Sequence, residues 1–331
     1  MKEFIVCSLL FLLVSCNNND SLFVSLPSNK TQIKFQNNLT STTDLNILNY
    51  LYYYNGAGVA AADFNNDGLA DLYFTGNQTA DKLYLNTGGL QFKDITKQAL
   101  INNSTPWTTG VTTVDINNDG FLDIYICKIG AHNSIKGNNL LYINEGPDNN
   151  GIPRFKEDAS NYGLDIASYA TQATFFDYDK DGDLDLFLMN HSLYPNSNYG
   201  KGTLRLQVDQ KSGDKLLENK QGKFIDVSSE AGIFQGKIGY GLGVSIGDVT
   251  NDGYPDIYVG NDFFENDYLY LNQKNKTFKE VISNDKTTLG HTSHFSMGNA
   301  ISDLNNDTHM DIISLDMLPE NLKTYKTSGL E

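Results

Sequence analysis

Five short segments of the chain crowd oxygen-bearing side chains together at a fixed spacing. The first, from Asp63 to Asp71, reads D-F-N-N-D-G-L-A-D and places carboxylates or an amide at positions 1, 3, 5 and 9, with glycine at position 6. The others occupy residues 115–123, 177–185, 248–256 and 303–311. Neighbouring carboxylates repel and raise each other's pKa, so the pattern becomes favourable when a cation lies between them.

The spacing is that of the first half of a calcium loop, with side-chain oxygens at positions 1, 3 and 5 and a backbone carbonyl at position 7. Glycine at position 6 permits the sharp turn. Calcium suits the pattern better than magnesium because it accepts about six to eight flexible oxygen ligands, and zinc is not expected without cysteine or histidine side chains as donors. Up to five Ca²⁺ sites are predicted, and their ligands are Asp63, Asn65, Asp67, Leu69 and Asp71; Asp115, Asn117, Asp119, Phe121 and Asp123; Asp177, Asp179, Asp181, Asp183 and Asp185; Asp248, Thr250, Asp252, Tyr254 and Asp256; and Asp303, Asn305, Asp307, His309 and Asp311.

An EF-hand has the same first half but needs a bidentate glutamate at position 12 and a helix on each side. Position 12 is instead Phe74, Ile126, Leu188, Val259 or Ser314. The closing carboxylate stands at position 9, where an apolar run begins. The loop is therefore predicted to join two strands.

The five sites are not expected to be equal. The third has aspartate at position 3 and the additional Asp183, so it is predicted to bind most tightly, whereas Thr250 is a weaker neutral donor in the fourth. Thr308 replaces the glycine of the fifth, which predicts weak binding or a different turn because β-branched residues resist positive φ.

Overall charge gives a second argument for metal. The loops hold seventeen of the forty acidic residues, and without them the formal charge of −16 would be +1. Aspartate, asparagine and glycine also form turns without metal, and a single copy would leave that alternative open. Five copies in one register favour metal.

The segments around the loops repeat as well. A run of small residues precedes the first loop (58–62), and an apolar run (72–74), a strand ending in asparagine (83–86) and a fourth strand (92–95) follow it. The apolar runs do not alternate with polar residues, so both faces of each strand are predicted to be buried. The sequence thus predicts an all-β fold, a β-propeller of four-stranded blades with calcium-binding hairpin loops.

These repeats resemble the FG-GAP or VCBS repeats of the integrin α-subunit N-terminal propeller, and more closely those of bacterial lipoproteins of the ASPIC/UnbV-linked, cartilage acidic protein-like group. The resemblance runs from about Phe35 to the end, and the residues that carry it are 54–59, 76–77, 175–179, 261–264, 294–298 and 316–320. It implies a seven-bladed propeller with calcium in the first hairpin loop of its blades.

About five units are present here, and the fifth ends without the strand that closes in asparagine. One hypothesis is that the chain is the N-terminal part of a longer product or is truncated. The alternative is a five-bladed ring closed by N-terminal strands around residues 33–35, within the blade numbers that propellers have.

The N-terminus predicts export. Residues 1–16 are interpreted as a lipoprotein signal peptide whose lipobox ends at Cys16, the lipidated residue, and residues 17–30 as a flexible tether before the propeller at 31–331. The alternative is an ordinary signal peptide with a chance cysteine. The expected location is the outer membrane or cell surface of a Gram-negative bacterium, with the lipid as the only membrane attachment. Cys127 is expected to be a small buried hydrophobe.

Net negative charge argues against nucleic acid and anionic membrane surfaces as partners. No P-loop or H-E-x-x-H motif occurs. His291 and His294 are expected to be structural, and Trp107 to be a core residue rather than a sugar-stacking one. The predicted function is a non-catalytic, calcium-stabilised surface propeller that binds protein or glycan.

The alternative function is a carbohydrate-active enzyme similar to propeller polysaccharide lyases, or an accessory to polysaccharide uptake. Such a lyase needs basic and acidic groups in one cleft, and the chain has only two arginines, Arg154 and Arg205. The longest departure from the repeat, residues 190–214, is predicted to be an insertion that determines specificity, with a surface excursion as the alternative.

Overall fold

The computed structural model describes residues 22–102, 107–130, 132–133, 135–193, 205–263, 265–283, 289, 292–293 and 295–317. The predicted signal peptide with Cys16, His291 and His294, and residues 194–204 of the predicted insertion lie outside the described residues. The predicted domain boundaries remain predictions.

The described residues form an all-β fold of successive four-stranded sheets. The first sheet contains β1 (Val59–Ala62), β2 (Asp71–Phe74), β3 (Lys82–Asn86) and β4 (Phe92–Asp94), and the second contains β5 (Thr108–Val114), β6 (Asp123–Lys128), β7 (Leu140–Pro147) and β8 (Pro153–Glu157). The third contains β9 (Ala170–Phe176), β10 (Asp185–Asn190), β11 (Lys215–Asn219) and β12 (Phe224–Asp226), and the fourth contains β13 (Gly241–Gly247), β14 (Asp256–Asn261), β15 (Tyr268–Asn272) and β16 (Phe278–Glu280). A fifth sheet pairs β17 (Ser296–Ser302) with β18 (Asp311–Asp316), and one-turn helices occupy α1 (Ser28–Thr31), α2 (Ala159–Tyr162) and α3 (Ser228–Ala231).

Each four-stranded sheet is an antiparallel meander in sequence order. In the first sheet, Ala62 lies opposite Asp71 and Leu72 lies opposite Tyr84. The second strands β6, β10 and β14 are buried at every residue, which confirms the prediction that their apolar runs are covered on both faces. The second strand of the fifth sheet, β18, is only partly buried, and Leu315 is 63% exposed there.

The first strands of consecutive sheets pack side by side, and hydroxyl groups fasten one sheet to the next. Thr109 donates to the carbonyl of Ala170 at 2.7 Å, and Thr171 donates to the carbonyl of Gly241 at 3.2 Å. Small residues permit this approach, because a Cβ at Gly110 would lie 2.3 Å from the carbonyl oxygen of Thr171. Sheets arranged in this way are the blades of a β-propeller.

The N-terminal segment packs on the first blade without pairing to it as a strand. Residues 33–35 have no strand geometry, and the ring of Phe35 stacks on that of Phe74 at 5.2 Å. The alternative in which strands at 33–35 close a ring is therefore wrong for these residues. Within the described part of the chain, no helix has the length and apolar character needed to cross a membrane.

Candidate metal sites in the hairpin loops

Each predicted loop joins the first and second strands of its sheet, as the sequence predicts. The first lies between β1 and β2 and the fifth lies between β17 and β18. Since the first strands pack side by side in one direction, all five loops lie at the same end of the blades.

One turn geometry recurs in every loop, organised by the position 1 carboxylate. Asp63 accepts the backbone N–H of Asp67 at 3.1 Å and that of Gly68 at 2.7 Å. The carboxylate of Asp67 accepts the N–H of Leu69 at 2.9 Å. Equivalent bonds form in the other loops around Asp115, Asp119, Asp177, Asp181, Asp248, Asp252, Asp303 and Asp307. The backbone thus wraps around the side-chain oxygens of positions 1 and 5.

The turn needs left-handed backbone at two positions, of which the sequence pattern indicated only one. Gly68 at position 6 has φ 86°, and Asn66 at position 4 has φ 58°. Position 4 is asparagine in four loops, a residue that tolerates this conformation, and Lys180 in the third. Thr308 adopts φ 72°, and its backbone N–H donates to the carboxylate of Asp303 at 2.8 Å, as the N–H of the glycine does in the other loops. The fifth loop therefore keeps the common turn and does not adopt a different one.

The position 9 carboxylate is buried beneath the loop. Asp71 is 0% exposed, and its two oxygens accept the N–H groups of Phe64 at 3.1 Å and Asn86 at 2.7 Å. The same paired acceptance occurs at Asp123, Asp185 and Asp256. In the fifth loop, Asp311 accepts the N–H of Leu304 and is only partly buried.

A repeated asparagine of the third strands is a site residue to which the sequence analysis gave no role: Asn86, Asn219 and Asn272 end their strands, and Asn144 lies within β7. Asn144 donates its amide to the carbonyl of Leu122 in its own loop at 3.1 Å and to that of Phe64 in the preceding blade's loop at 2.8 Å. Asn272 makes the same pair of bonds to Pro255 and Tyr178. The repeated Leu-Tyr-x-Asn pattern was the available signal. The amides of Asn144 and Asn272 tie the loops of the second and fourth blades to their own blades and to a loop of the preceding blade.

Burial makes the position 9 carboxylates costly to ionise. It raises the pKa of Asp71 and of Asp123 to about 6 and that of Asp185 to about 7, although backbone N–H donors oppose the rise. The pKa of Asp256 is also raised by burial. The other carboxylates of the same loop raise the pKa of each of these four aspartates further. A bound cation would reverse this electrostatic balance and favour the ionised form.

The third loop brings carboxylates together most closely. Single oxygens of Asp177, Asp179 and Asp185 lie within 4.8 Å of one another, so this cluster could hold a metal ion. Position 3 carries a carboxylate only in this loop, and asparagine or threonine occupies it in the others. All the donors are oxygens, which suits a hard cation such as Ca²⁺.

A lysine from the next blade already neutralises part of this cluster. Nζ of Lys276, in the turn between β15 and β16, lies 2.5 Å from Asp179 and 2.7 Å from Glu218. These two carboxylates raise the pKa of Lys276 above its ordinary range. A cation in the third loop would therefore compete with an ammonium group. This pairing was not predicted.

The remaining predicted residues lie away from the loops. Cys127 is a free, buried thiol, as expected. Of the predicted insertion, Arg205 forms a 2.7 Å ion pair with Glu265 and its guanidinium lies 4.8 Å from the ring centre of Phe234. Trp107 is buried as predicted, at 1% exposure.

Comparison with known proteins supports the repeat assignment. A model described as FG-GAP-like repeat matches residues 63–126 and 248–314, which include the first, second, fourth and fifth loops. The chain therefore contains FG-GAP-like repeats.

Curated relatives carry the name cartilage acidic protein 1. The human protein is 33% identical over 136 residues, which cover 40% of this chain and 20% of the human protein. The Xenopus tropicalis protein is 32% identical over 139 residues, which cover 41% of this chain and 21% of that protein. The matched segment thus spans about a fifth of these relatives.

A solved structure concerning specific recognition of non-reducing terminal N-acetylglucosamine by an Agrocybe aegerita lectin is also similar. It aligns over 77% of this chain and 59% of the lectin chain, at 18% identity and a TM-score of 0.39.

Proposed function

We propose that this chain is a non-catalytic binding module, a β-propeller that is braced by Ca²⁺ in its hairpin loops and presents a protein- or glycan-binding surface. The observation that carries the proposal is the repeated loop geometry, in which a buried position 9 carboxylate lies below the turned carboxylates of positions 1 and 5. A structural role for the ions follows from this placement, because each loop joins two strands of a blade.

The bonds around the loops explain how an ion would stabilise the whole propeller. Asn144 links the first and second blades through the carbonyls of Phe64 and Leu122. An ion that fixes these loops therefore also fixes the approach of neighbouring blades. A ligand that binds only the folded state stabilises it by about 2.7 kcal/mol at a hundred times its Kd.

The positions of the arginines favour binding over a lyase reaction. Arg154 bonds to Asp148 at 2.8 Å, and Arg205 bonds to Glu265 at 2.7 Å and to Ser283 at 2.8 Å. Both guanidinium groups are therefore engaged within the protein rather than offered together to an acidic sugar. Absorbance of unsaturated products during incubation with acidic polysaccharides would contradict the non-catalytic assignment.

The calcium proposal is tested by removing the metal. Metal-stripped protein is expected to bind Ca²⁺ in titration calorimetry and to melt at a higher temperature in millimolar Ca²⁺. Asp177→Asn is expected to remove one site from the measured stoichiometry, whereas Asp94→Asn on β4, outside the loops, is the matched control. A melting temperature indifferent to both calcium and chelator would refute the proposal.

Export and anchoring by lipid at Cys16 are part of the proposal and rest on the sequence of residues 1–16. The wild-type chain is expected to partition into detergent and to carry an acyl mass on its N-terminal cysteine. Cys16→Ser is expected to lose both properties. A wild-type chain that retains residues 1–15, or that lacks the added mass, would refute the anchor.

A further inference from the structure

A cavity of about 300 Å³ opens at the ends of the first strands opposite the hairpin loops. Its floor comprises the starts of the first strands of four blades, including Val59, Val111, Thr171 and Leu242. The loops follow the other ends of these strands, so the cavity is distinct from the candidate metal sites. Its volume is at the small end of the range for ligand pockets, which is about 300–1,000 Å³.

The walls of the cavity are aromatic and are supplied from distant parts of the chain. The N-terminal segment contributes Tyr50 and Tyr52, and the start of the second blade contributes Trp107. The ring of Tyr50 meets that of Trp107 edge to face at 5.1 Å, and the ring of Tyr52 stacks on that of His191 at 4.4 Å. These contacts fix the rings in place, so the wall is formed before any ligand arrives.

His191 provides a polar group in this wall that the fold leaves unused. It is 1% exposed, and its Nε2 lies 3.4 Å from the hydroxyl of Tyr50. Its Nδ1 is buried without a hydrogen-bond partner among the described residues. Burial lowers the pKa of this imidazole to about 3, so the ring is neutral. Buried polar atoms without partners are uncommon in proteins, so this nitrogen marks the wall as a place where the fold departs from ordinary packing.

Trp107 adds an independent sign of function, because its backbone is left-handed. Its φ is 68°, a conformation that is a genuine outlier for a bulky residue. Its N–H is held by the carbonyl of Asn77, and its carbonyl accepts the N–H of Ile129 at 3.1 Å. Strained residues that surroundings hold in place concentrate at ligand sites.

The described residues that line the cavity carry no formal charge. Two of them, Asn55 and Gln172, are exposed and have carboxamide side chains that make no hydrogen bond among the described residues. Val59 is 60% exposed beside them. An acidic or basic ligand would find no counter-charge here, whereas a sugar ring offers apolar C–H faces for the walls and hydroxyl groups for the amides.

We propose that this cavity binds a neutral sugar residue, with Asn55 and Gln172 hydrogen-bonding its hydroxyl groups and the apolar wall packing against its ring. This inference rests on the proposed binding function and names its site and its ligand class. It also gives Trp107, expected to be a core residue, a second role beside the ligand.

Trp107 is the only tryptophan in the sequence, so its fluorescence reports directly on this cavity. The full chain with calcium is titrated with maltotriose, xylotriose, mannotriose and the acidic trigalacturonic acid. At least one neutral trisaccharide is expected to change the fluorescence with saturation, and the acidic one is expected to bind at least tenfold more weakly. Absence of saturable binding by every neutral sugar, or equal binding of the acidic one, would overturn the proposal.

Matched variants locate the binding. Gln172→Ala and Asn55→Ala each remove an exposed side chain and are expected to weaken affinity at least tenfold, whereas Gln91→Ala, exposed in the turn between β3 and β4, should leave it unchanged. Calorimetry with unchanged affinity in both cavity variants would overturn the site while leaving glycan binding by the protein intact. Conversion of the sugar to products would overturn the non-catalytic function and leave the site standing.

Discussion

Lowering the pH from about 8 to about 6.5 is expected to stabilise the metal-free protein. Burial raises the pKa of Asp185 to about 7 and those of Asp71 and Asp123 to about 6, from an ordinary value of 3.8. A carboxyl whose folded-state pKa is raised stabilises the fold fully below its unfolded pKa, and this contribution is lost as the pH rises through the folded pKa. The loss therefore falls between about pH 4 and pH 7.

The expected size follows from the protons bound in this interval. When the pH falls from about 8 to about 6.5, proton uptake by Asp185 raises the free energy of unfolding by about 0.8 kcal/mol. Uptake by Asp71 and by Asp123 adds about 0.2 kcal/mol each, so the three carboxyls together add about 1 kcal/mol. Calcium that holds these carboxylates ionised would remove this pH-dependent gain in the free energy of unfolding. Asp214, outside the loops, also has its pKa raised to about 7 and contributes equally with and without calcium. The difference between the two conditions therefore isolates the loops.

Equilibrium unfolding in urea measures this difference. Four curves are needed, at the two pH values with metal-stripped protein and with millimolar Ca²⁺, and the free energy of unfolding is extrapolated from each. The interval ends near pH 6.5 because the neutral, buried His191, whose pKa is lowered to about 3, would destabilise the fold at lower pH. An identical pH dependence with and without calcium would refute the assignment of ions to the buried carboxylates.

Three further substitutions test individual features of the loops. Lys276→Met is expected to tighten calcium binding to the third loop roughly fivefold in calorimetry, because a partly exposed ion pair of about 1 kcal/mol no longer competes, with Lys279→Met as the control. Thr308→Gly is expected to stabilise the protein by about 1 kcal/mol in urea unfolding by relieving left-handed strain, a gain that Thr308→Ala should not give. Asn144→Ala is expected to destabilise it by about 2 kcal/mol by leaving buried carbonyls unpaired, while the exposed Asn150→Ala should change little.

Local repetition made the blades predictable. The apolar run at 72–74 is within β2 (Asp71–Phe74), and the run at 83–86 is within β3 (Lys82–Asn86). Both follow from short-range patterns. The predicted burial of both faces holds at every residue of β6, β10 and β14, but in β2 Leu72 and Phe74 are only partly buried. The position 9 aspartate could also be predicted from the sequence, because it stands at a fixed distance from the turn.

Contacts between distant segments were beyond this reasoning. Lys276 reaches Asp179 from the next blade, and Tyr50 reaches Trp107 from an N-terminal segment that has no repeat. Neither pair has a spacing that a periodic pattern could reveal. Left-handed backbone at Trp107 is likewise imposed by its surroundings, because the residue type itself disfavours it.

The two ends of the first strands have opposite chemical character, and this separation has a mechanical consequence. Charged, oxygen-rich loops lie at one end, and the uncharged cavity lies at the other, across strands of four to seven residues. A strand rises about 3.3 Å per residue, so the two sites are roughly 13–23 Å apart and do not interact through direct charge at physiological salt. Their connection is the packing of neighbouring first strands, which meet the loops at one end and are joined near the cavity by hydroxyl bonds such as that from Thr109 to Ala170. On the proposed function, a cation that fixed the spacing of the blades at the loops would act on the cavity floor through these strands, and it would thereby contribute to binding without touching the ligand.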